Sequence, residues 1–238
     1  MAQLKIGVVV FPGTNCDKDV IEALKCSVPD AQVVELWHDD VPNQPLEHTF
    51  DWVILPGGFS YGDYLRCGAM AKNSKLMQAI KRFAQSGGYV LGICNGFQIL
   101  CEAGLLEGTL IANASKRFIC QQRTALEVTS TASPYTRGYQ KGQIVEMPIA
   151  HGEGCYYADP ETLTRLEANN QIVFRYVHEV NGSLHRIAGI SNKTGNVMGL
   201  MPHPERNLWQ KALSGFTGEG RTLFESVGAS LCVTPYSA

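Results

Sequence analysis

Apolar residues fall along this chain first in short unbroken runs and only afterwards in helical stripes. Residues 4–11 (LKIGVVVF) make a β-branched run that predicts a strand buried on both faces, stopped by Pro12-Gly13-Thr14-Asn15. Over 17–26 (DKDVIEALKC), Val20, Ile21 and Leu24 recur at helical spacing. Residues 31–37 (AQVVELW) and 51–58 (DWVILPGG) predict two further strands, the second closed by proline and glycine. Leu76, Ala79, Ile80 and Phe83 then share one face of a helix over 72–88, ended by Gly87-Gly88. A fourth strand, 89–94 (YVLGIC), leads into a helix over 95–106.

Strands alternating with helices predict an α/β fold with a doubly wound, mostly parallel sheet. The second half changes rhythm. Segments beginning TALEVTST, QIVEMPIA, QIVFRYV, RIAGISN and NVMGLMP are short strands split by turns such as NGS and KTGN. They predict antiparallel additions to the sheet, closed by a helix near 219–231. No repeat or linker interrupts residues 1–238, so one domain is expected. In doubly wound sheets, ligands sit beyond the carboxyl ends of the strands. The glycine-rich breaks at 12–15, 56–58 and 92–96 all fall at such ends, so three candidate site loops share one edge.

Composition narrows the function classes. The chain has 238 residues, 45% of them hydrophobic and only 18% charged, with a net charge of −2. A sizeable core can form, part of the surface is expected to be covered by a partner, and neither nucleic acid nor anionic membrane has an electrostatic partner here. The run over 89–106 carries Asn95, Gln98 and Glu102, which suit a buried strand and helix better than a membrane span. No leader pattern opens the chain, and a cytoplasmic protein with reduced thiols is expected. The eight cysteines show no CxxC pair and no finger spacing, so no metal site is expected.

The chemistry centres on Gly92-Ile93-Cys94-Asn95-Gly96. This is the layout of a nucleophile elbow with cysteine in place of serine, a sharp strand-to-helix turn that exposes the nucleophile. A helix starting near Asn95 would favour a thiolate through its positive end. The alternative is a cysteine packed in the core, where free cysteines often sit. A thiol nucleophile needs a base, and Met201-Pro-His-Pro-Glu-Arg206 places His203 two residues before Glu205 at another strand end. In an extended segment the two side chains share a face, and the carboxylate would fix the imidazole tautomer. The alternative there is a turn histidine beside a solvated glutamate. Gly57-Gly58 could present backbone N–H groups to an oxyanion, together with the N–H of Asn95. His38, His48, His178 and His185 are expected on the surface; His151, in the HGEG loop, is intermediate.

Taken together, PGG (56–58), GICNGFQ (92–98) and PHPE (202–205) resemble the class I, or triad, glutamine amidotransferases. The stretches VFPGTNCDKD, LPGGFSYGDYLRCGAMAK, NASKRF, HGEG and MPHPER are similar, more narrowly, to the glutaminase subunits of phosphoribosylformylglycinamidine synthases. The resemblance runs from about residue 4 to about 206. It implies a fold of the class I amidotransferase type, a catalytic set of Cys94, His203 and Glu205, and an oxyanion hole from Gly58 and Asn95. It also implies contacts to L-glutamine from Gly57, Gln98, His151 and Gly152. Its implied partners are a large synthase subunit, which uses ATP and Mg, and a small accessory subunit. No cofactor is implied for this chain, which has no GxxxxGK[ST] phosphate loop. The loop around 61–72 is expected to dock the synthase. A different thiol hydrolase on the same fold, or a scaffold without activity, are the competing readings; PHPE argues against the first and the intact triad against the second.

Overall fold

The computed structural model describes residues 3–40, 44–208, 210–211 and 216–233. Four strands and three helices open the chain: β1 (Lys5–Val10), α1 (Asp17–Ser27), β2 (Gln32–Trp37), β3 (Trp52–Leu55), α2 (Lys75–Gln85), β4 (Tyr89–Ile93) and α3 (Asn95–Glu102). The remainder comprises β5 (Thr109–Ile111), β6 (Ile119–Val128), β7 (Ile144–His151), β8 (Cys155–Tyr157), α4 (Pro160–Ala168), β9 (Ile172–Tyr176), β10 (Ile187–Ser191) and β11 (Val197–Leu200). A two-residue ribbon, Gln210–Lys211 with Phe216–Thr217, and α5 (Glu219–Val233) complete it.

Nine strands form one sheet in the order β2-β1-β3-β4-β11-β10-β9-β6-β7. Pairings from β2 to β11 are parallel and those from β11 to β7 antiparallel; the two rhythms of the sequence predict this except at β11, which is expected among the antiparallel additions but also runs parallel to β4. Burial follows position. The interior strands β3, β10 and β11 are buried at every residue, whereas the edge strand β2 buries only Leu36. The other edge, β7, alternates exposed or half-buried with buried, and carries Pro148. Its register with β6 slips between Gln121 and Thr124, opposite the proline that has no N–H to offer.

The chain steps from β1 outward to β2 and then from β3 the other way to β4. Right-handed crossovers in opposite directions place α1 on one face and α2 on the other. Helix α5 packs against α1, and α3 lies on β3, β4 and β11. The carboxyl ends of β1 and β3 therefore mark the switch point of the sheet, with those of β4 and β11 beside them.

Several elements differ from expectation. Helix α4 sits where only strands are expected; Asp159 caps it, its carboxylate accepting from the Thr162 N–H at 2.9 Å, and Pro160 starts it. The short pair β5 and β8 is also additional. Strand β6 starts five residues before the expected 124, because its exposed first half pairs with β7. Helix α3 stops at Glu102 rather than 106, before Gly104 at φ 72°.

Candidate active site

Four strand ends converge on Cys94. The residue stands between β4 and α3 at φ 51° and ψ −105°, a conformation that costs an L-residue energy and turns the thiol out of the strand–helix junction. The turn is possible because α3 lies hard against the sheet. A Cβ on Gly96 would sit 1.9 Å from the Leu55 carbonyl oxygen, so no larger residue fits. Cys94 itself is held by its N–H donating to Leu200 O at 2.8 Å, across to β11.

The loops after β1 and β3 are zipped together by Cys16 N–H to Gly57 O at 3.2 Å and Phe59 N–H to Gly13 O at 2.9 Å. This brings Gly57 into the centre: a Cβ there would lie 2.9 Å from His203 Cε1, 3.1 Å from Cys16 Sγ and 3.5 Å from Cys94 Cβ. Among the described residues, the N–H groups of Gly58 and Asn95 donate no hydrogen bond. The first belongs to a loop beside the nucleophile and the second to the open first turn of α3, where helices leave their N–H groups unpaired.

His203 follows β11, and its N–H donates to Pro148 O at 2.8 Å, which ties it to β7. Its Nδ1 stands 2.6 Å from Glu205 Oε1, with His203 2% and Glu205 3% exposed. The expected extended geometry is not what joins them. Pro204–Arg206 form a short 3-10 turn, favoured by proline at its first position, which folds Glu205 back beneath the imidazole. His203 Nε2 makes no hydrogen bond of normal geometry and faces the sulfurs of Cys94 and Cys16. Burial opposes protonation of this ring. The Glu205 carboxylate, with Cys94 and Cys16, outweighs burial and holds its pKa well above the ordinary histidine value.

Cys16 is the residue that sequence reasoning passed over, counted only among eight cysteines without metal-binding spacing. Its Sγ lies 3.1 Å from Arg206 Nη2, and Arg206 Nε pairs with Asp19 at 3.0 Å. The donor atoms of Cys16, His203 and Glu205 fall within 4.8 Å of one another, a spacing a metal could use. The adjacent guanidinium sets a positive charge against a cation there, and Glu205 already engages His203. The arrangement therefore reads as an imidazole–carboxylate pair. Three of the other cysteines, Cys67, Cys101 and Cys155, have thiols pushed up by burial and nearby carboxylates, and so are held protonated.

Two small cavities of about 250 and 140 Å³ meet at Gly58, Phe59, Cys94, Phe118 and Ala150. The smaller reaches Cys16, His203 and Arg206. The larger reaches Gln98, His151 and Gly152, so every residue expected at the site except Gly57, Asn95 and Glu205 lines one of the two. Gln98 has its amide engaged: Nε2 donates to Glu153 O at 2.6 Å and Oε1 accepts from Asn95 Nδ2 at 2.9 Å. It braces the HGEG loop against α3. His151 is buried, and burial followed by the charge of His203 lowers its pKa to about 4, so it is neutral at pH 7. His38, expected at the surface, is half-buried, bonded to Tyr61 Oη at 2.9 Å.

Such a constellation can activate a thiol, stabilise an oxyanion and return a proton to a leaving group. Comparison with known proteins points the same way. Residues 3–226 match the CobB/CobQ-like glutamine amidotransferase domain. The chain is 52% identical to phosphoribosylformylglycinamidine synthase subunit PurQ of Chlorobaculum tepidum, over 97% of this chain and 99% of that one. It is 53% identical to the PurQ subunit of Moorella thermoacetica, over 94% and 95%. Among solved structures it superposes on a chain of PurLQS from Thermotoga maritima with a TM-score of 0.84 and 42% identity, over 97% and 100%. The glutaminase domain of Trypanosoma brucei CTPS, with acivicin bound, shares the fold at a TM-score of 0.61 and 14% identity, over 96% and 94%. The chain belongs to the glutamine amidotransferases, within the PurQ family of phosphoribosylformylglycinamidine synthase subunits.

Proposed function

We propose that the chain is a single-domain glutaminase that supplies ammonia to phosphoribosylformylglycinamidine synthase, with Cys94, His203 and Glu205 as its catalytic residues. The observation that carries the reading is the strained thiol facing an imidazole whose other nitrogen is 2.6 Å from a buried carboxylate. Cys94, having passed its thiol proton to His203 Nε2, attacks the side-chain amide carbon of glutamine through Sγ. The N–H groups of Gly58 and Asn95 receive the charge that develops on the carbonyl oxygen. Collapse breaks the C–N bond, the imidazolium gives its proton to the leaving nitrogen, and ammonia departs. Water, deprotonated by His203, then hydrolyses the thioester to glutamate and free thiol. Glu205 keeps the tautomer correct and supports the imidazolium.

The ammonia passes to a large synthase subunit that uses ATP and Mg to convert formylglycinamide ribonucleotide into the amidine, with a small accessory subunit in the assembly. The chain works in the cytoplasm; among the described residues, no helix is long and apolar enough to cross a membrane. Tyr64 and Leu65 are the most exposed large apolar residues described, and Phe59 and Phe118 are half-exposed beside the cavities. This loop is the docking face for the synthase. Glutaminase assay of the chain with and without its synthase, against a Cys94→Ser variant, tests the reading. Turnover should depend on Cys94 and rise when the partner is added; turnover that survives the substitution overturns it.

A further inference from the structure

Cys94 is not the only sulfur at the centre, and the reaction sequence above leaves the second one unused. Cys16, at the start of α1, lines the smaller cavity together with Cys94, His203 and Arg206. Its Sγ and a ring nitrogen of His203 lie within 4.8 Å of one another, and the same imidazole faces the sulfur of Cys94. The gap between the two cysteines is the place of the side chain that Gly57 lacks. A single carbon built there would lie 3.1 Å from Cys16 Sγ and 3.5 Å from Cys94 Cβ, in contact with both. Rotation of either cysteine about its Cα–Cβ bond can carry its sulfur into that space.

The surroundings of Cys16 fit it to attack an oxidised sulfur. Its thiol donates to Asn15 Oδ1 at 3.2 Å and accepts from Arg206 Nη2 at 3.1 Å. Asp19 holds that guanidinium through Nε at 3.0 Å. A fixed positive donor stabilises the negative charge that gathers on an attacking sulfur. Cys67 also shares a cavity with Cys94, the larger one, but its setting is the opposite. Burial, Asp63 and Glu153 push the Cys67 thiol up and hold it protonated, which suppresses attack.

We propose that Cys94 and Cys16 form a reversible redox site, in which a hydroperoxide oxidises Cys94 and Cys16 resolves the product as a disulfide. This goes beyond the glutaminase reading. A cavity of about 140 Å³ admits hydrogen peroxide, since a water molecule takes about 30 Å³. The Cys94 thiolate attacks one peroxide oxygen and the O–O bond breaks. His203 gives the proton it holds to the departing hydroxide, so water leaves and Cys94 becomes a sulfenic acid. Cys16 Sγ then attacks the Cys94 sulfur, the S–O bond breaks, and the Cys16 proton leaves with the hydroxide as a second water. The two thiols lose two electrons and two protons, and the peroxide gains both. The disulfide occupies the nucleophile and halts glutamine hydrolysis. It also keeps Cys94 from the irreversible sulfinic acid, and a dithiol reverses it by exchange.

The experiment treats the chain, assembled with its synthase and free of glutamine, with hydrogen peroxide. Free thiols are then alkylated, peptides are mapped by mass spectrometry, and glutaminase activity is measured before and after dithiothreitol. Wild type should yield a peptide pair joined through Cys16 and Cys94. Its activity should fall about tenfold or more and return to within about twofold of the start on reduction. Cys16→Ser, measured against its own starting rate, should recover at least about fivefold less after prolonged exposure, with Cys94 found as sulfinic acid. A disulfide from Cys94 to Cys67, a wild-type Cys94 sulfinic acid with Cys16 still alkylated, an unoxidised Cys94, or full recovery of the variant overturns the inference. The wild-type map decides the matter even where the variant fails to fold. It needs no turnover, so a chain that does not hydrolyse glutamine removes the glutaminase reading and leaves this one standing or falling by itself.

Discussion

Replacing Glu205 with glutamine removes one charge and almost no volume, and the structure says what that charge does. Its Oε1 lies 2.6 Å from His203 Nδ1 in a pair that is nearly inaccessible to water. A hydrogen bond to a charged group contributes about 1.5–3 kcal/mol. The carboxylate stabilises the imidazolium that forms when Cys94 loses its proton, so most of this should appear in kcat as roughly a 10- to 150-fold loss. The pH profile supplies the sign. Burial by itself would lower the His203 pKa; Glu205 and the neighbouring sulfurs raise it well above its ordinary value. Without the carboxylate the imidazolium loses its proton earlier, so the alkaline limb of the rate profile moves to lower pH. Stability carries the same signature. A raised folded-state pKa contributes stability that is fully present below the unfolded value, about 6.5, and is lost as pH rises through the folded value. The stability gap between wild type and variant is therefore wider at pH 6 than at the alkaline end. Steady-state glutaminase profiles and denaturant melts across that range provide the assay. A variant with kcat within threefold of wild type and an unmoved alkaline limb would refute the reasoning.

Three further outcomes follow from the same geometry. A glutamine-like electrophile should label Cys94 and none of Cys67, Cys101 and Cys155, which are held protonated by burial and nearby carboxylates; peptide mapping that finds the label on one of those removes the assignment. Gly96→Ala places a Cβ against the Leu55 backbone and should cost about 3 kcal/mol, or roughly 6–12 °C in Tm. A melt within about 2 °C of wild type would show that α3 can lift from the sheet at little cost. In histidine-resolved NMR titrations, His151 should stay neutral down to about pH 5, its pKa lying near 4 through burial and the charge of His203, while His203 stays protonated above 6.5. His151 therefore contributes stability that is present above the unfolded value near 6.5 and declines as pH falls toward 4. Both rings titrating near 6.5 would contradict the burial and pairing described for them.

Some of the site was legible because its residues answer to local sterics. The glycines at 92 and 96 are required wherever a strand turns sharply into a helix, whatever the rest of the fold, so the elbow could be read from five residues. His203 and Glu205 were paired correctly for a wrong reason: a 3-10 turn, not an extended strand, brings them together. Helix α4 carried a readable start in Asp159-Pro160, yet its short apolar stripe lay among strands and was outweighed by them. Cys16, Asp63 and Glu153 lay inside stretches that carried the resemblance, but nothing beside them in the sequence marked a role for them. Cys16 sits in the same breaker that stops β1, and Asp63 and Glu153 are 90 positions apart along the chain.

What the sequence determined by itself is a set of parts: the alternating strands and helices of the first half, the switch to antiparallel rhythm, a thiol in a glycine-flanked turn and an imidazole two residues before a carboxylate. Each follows from interactions within a few residues, where periodicity, proline and glycine act directly on the backbone. Tertiary structure alone decided which parts meet. The sheet order β1-β3-β4-β11 lays four strand ends side by side, and only then do Gly57, Cys94, Cys16 and His203 share one centre. The neutral state of His151 likewise comes from burial and from His203 on another segment, and the raised pKa of His203 from Glu205, Cys94 and Cys16 acting against burial, so both exist only once the sheet has closed over them.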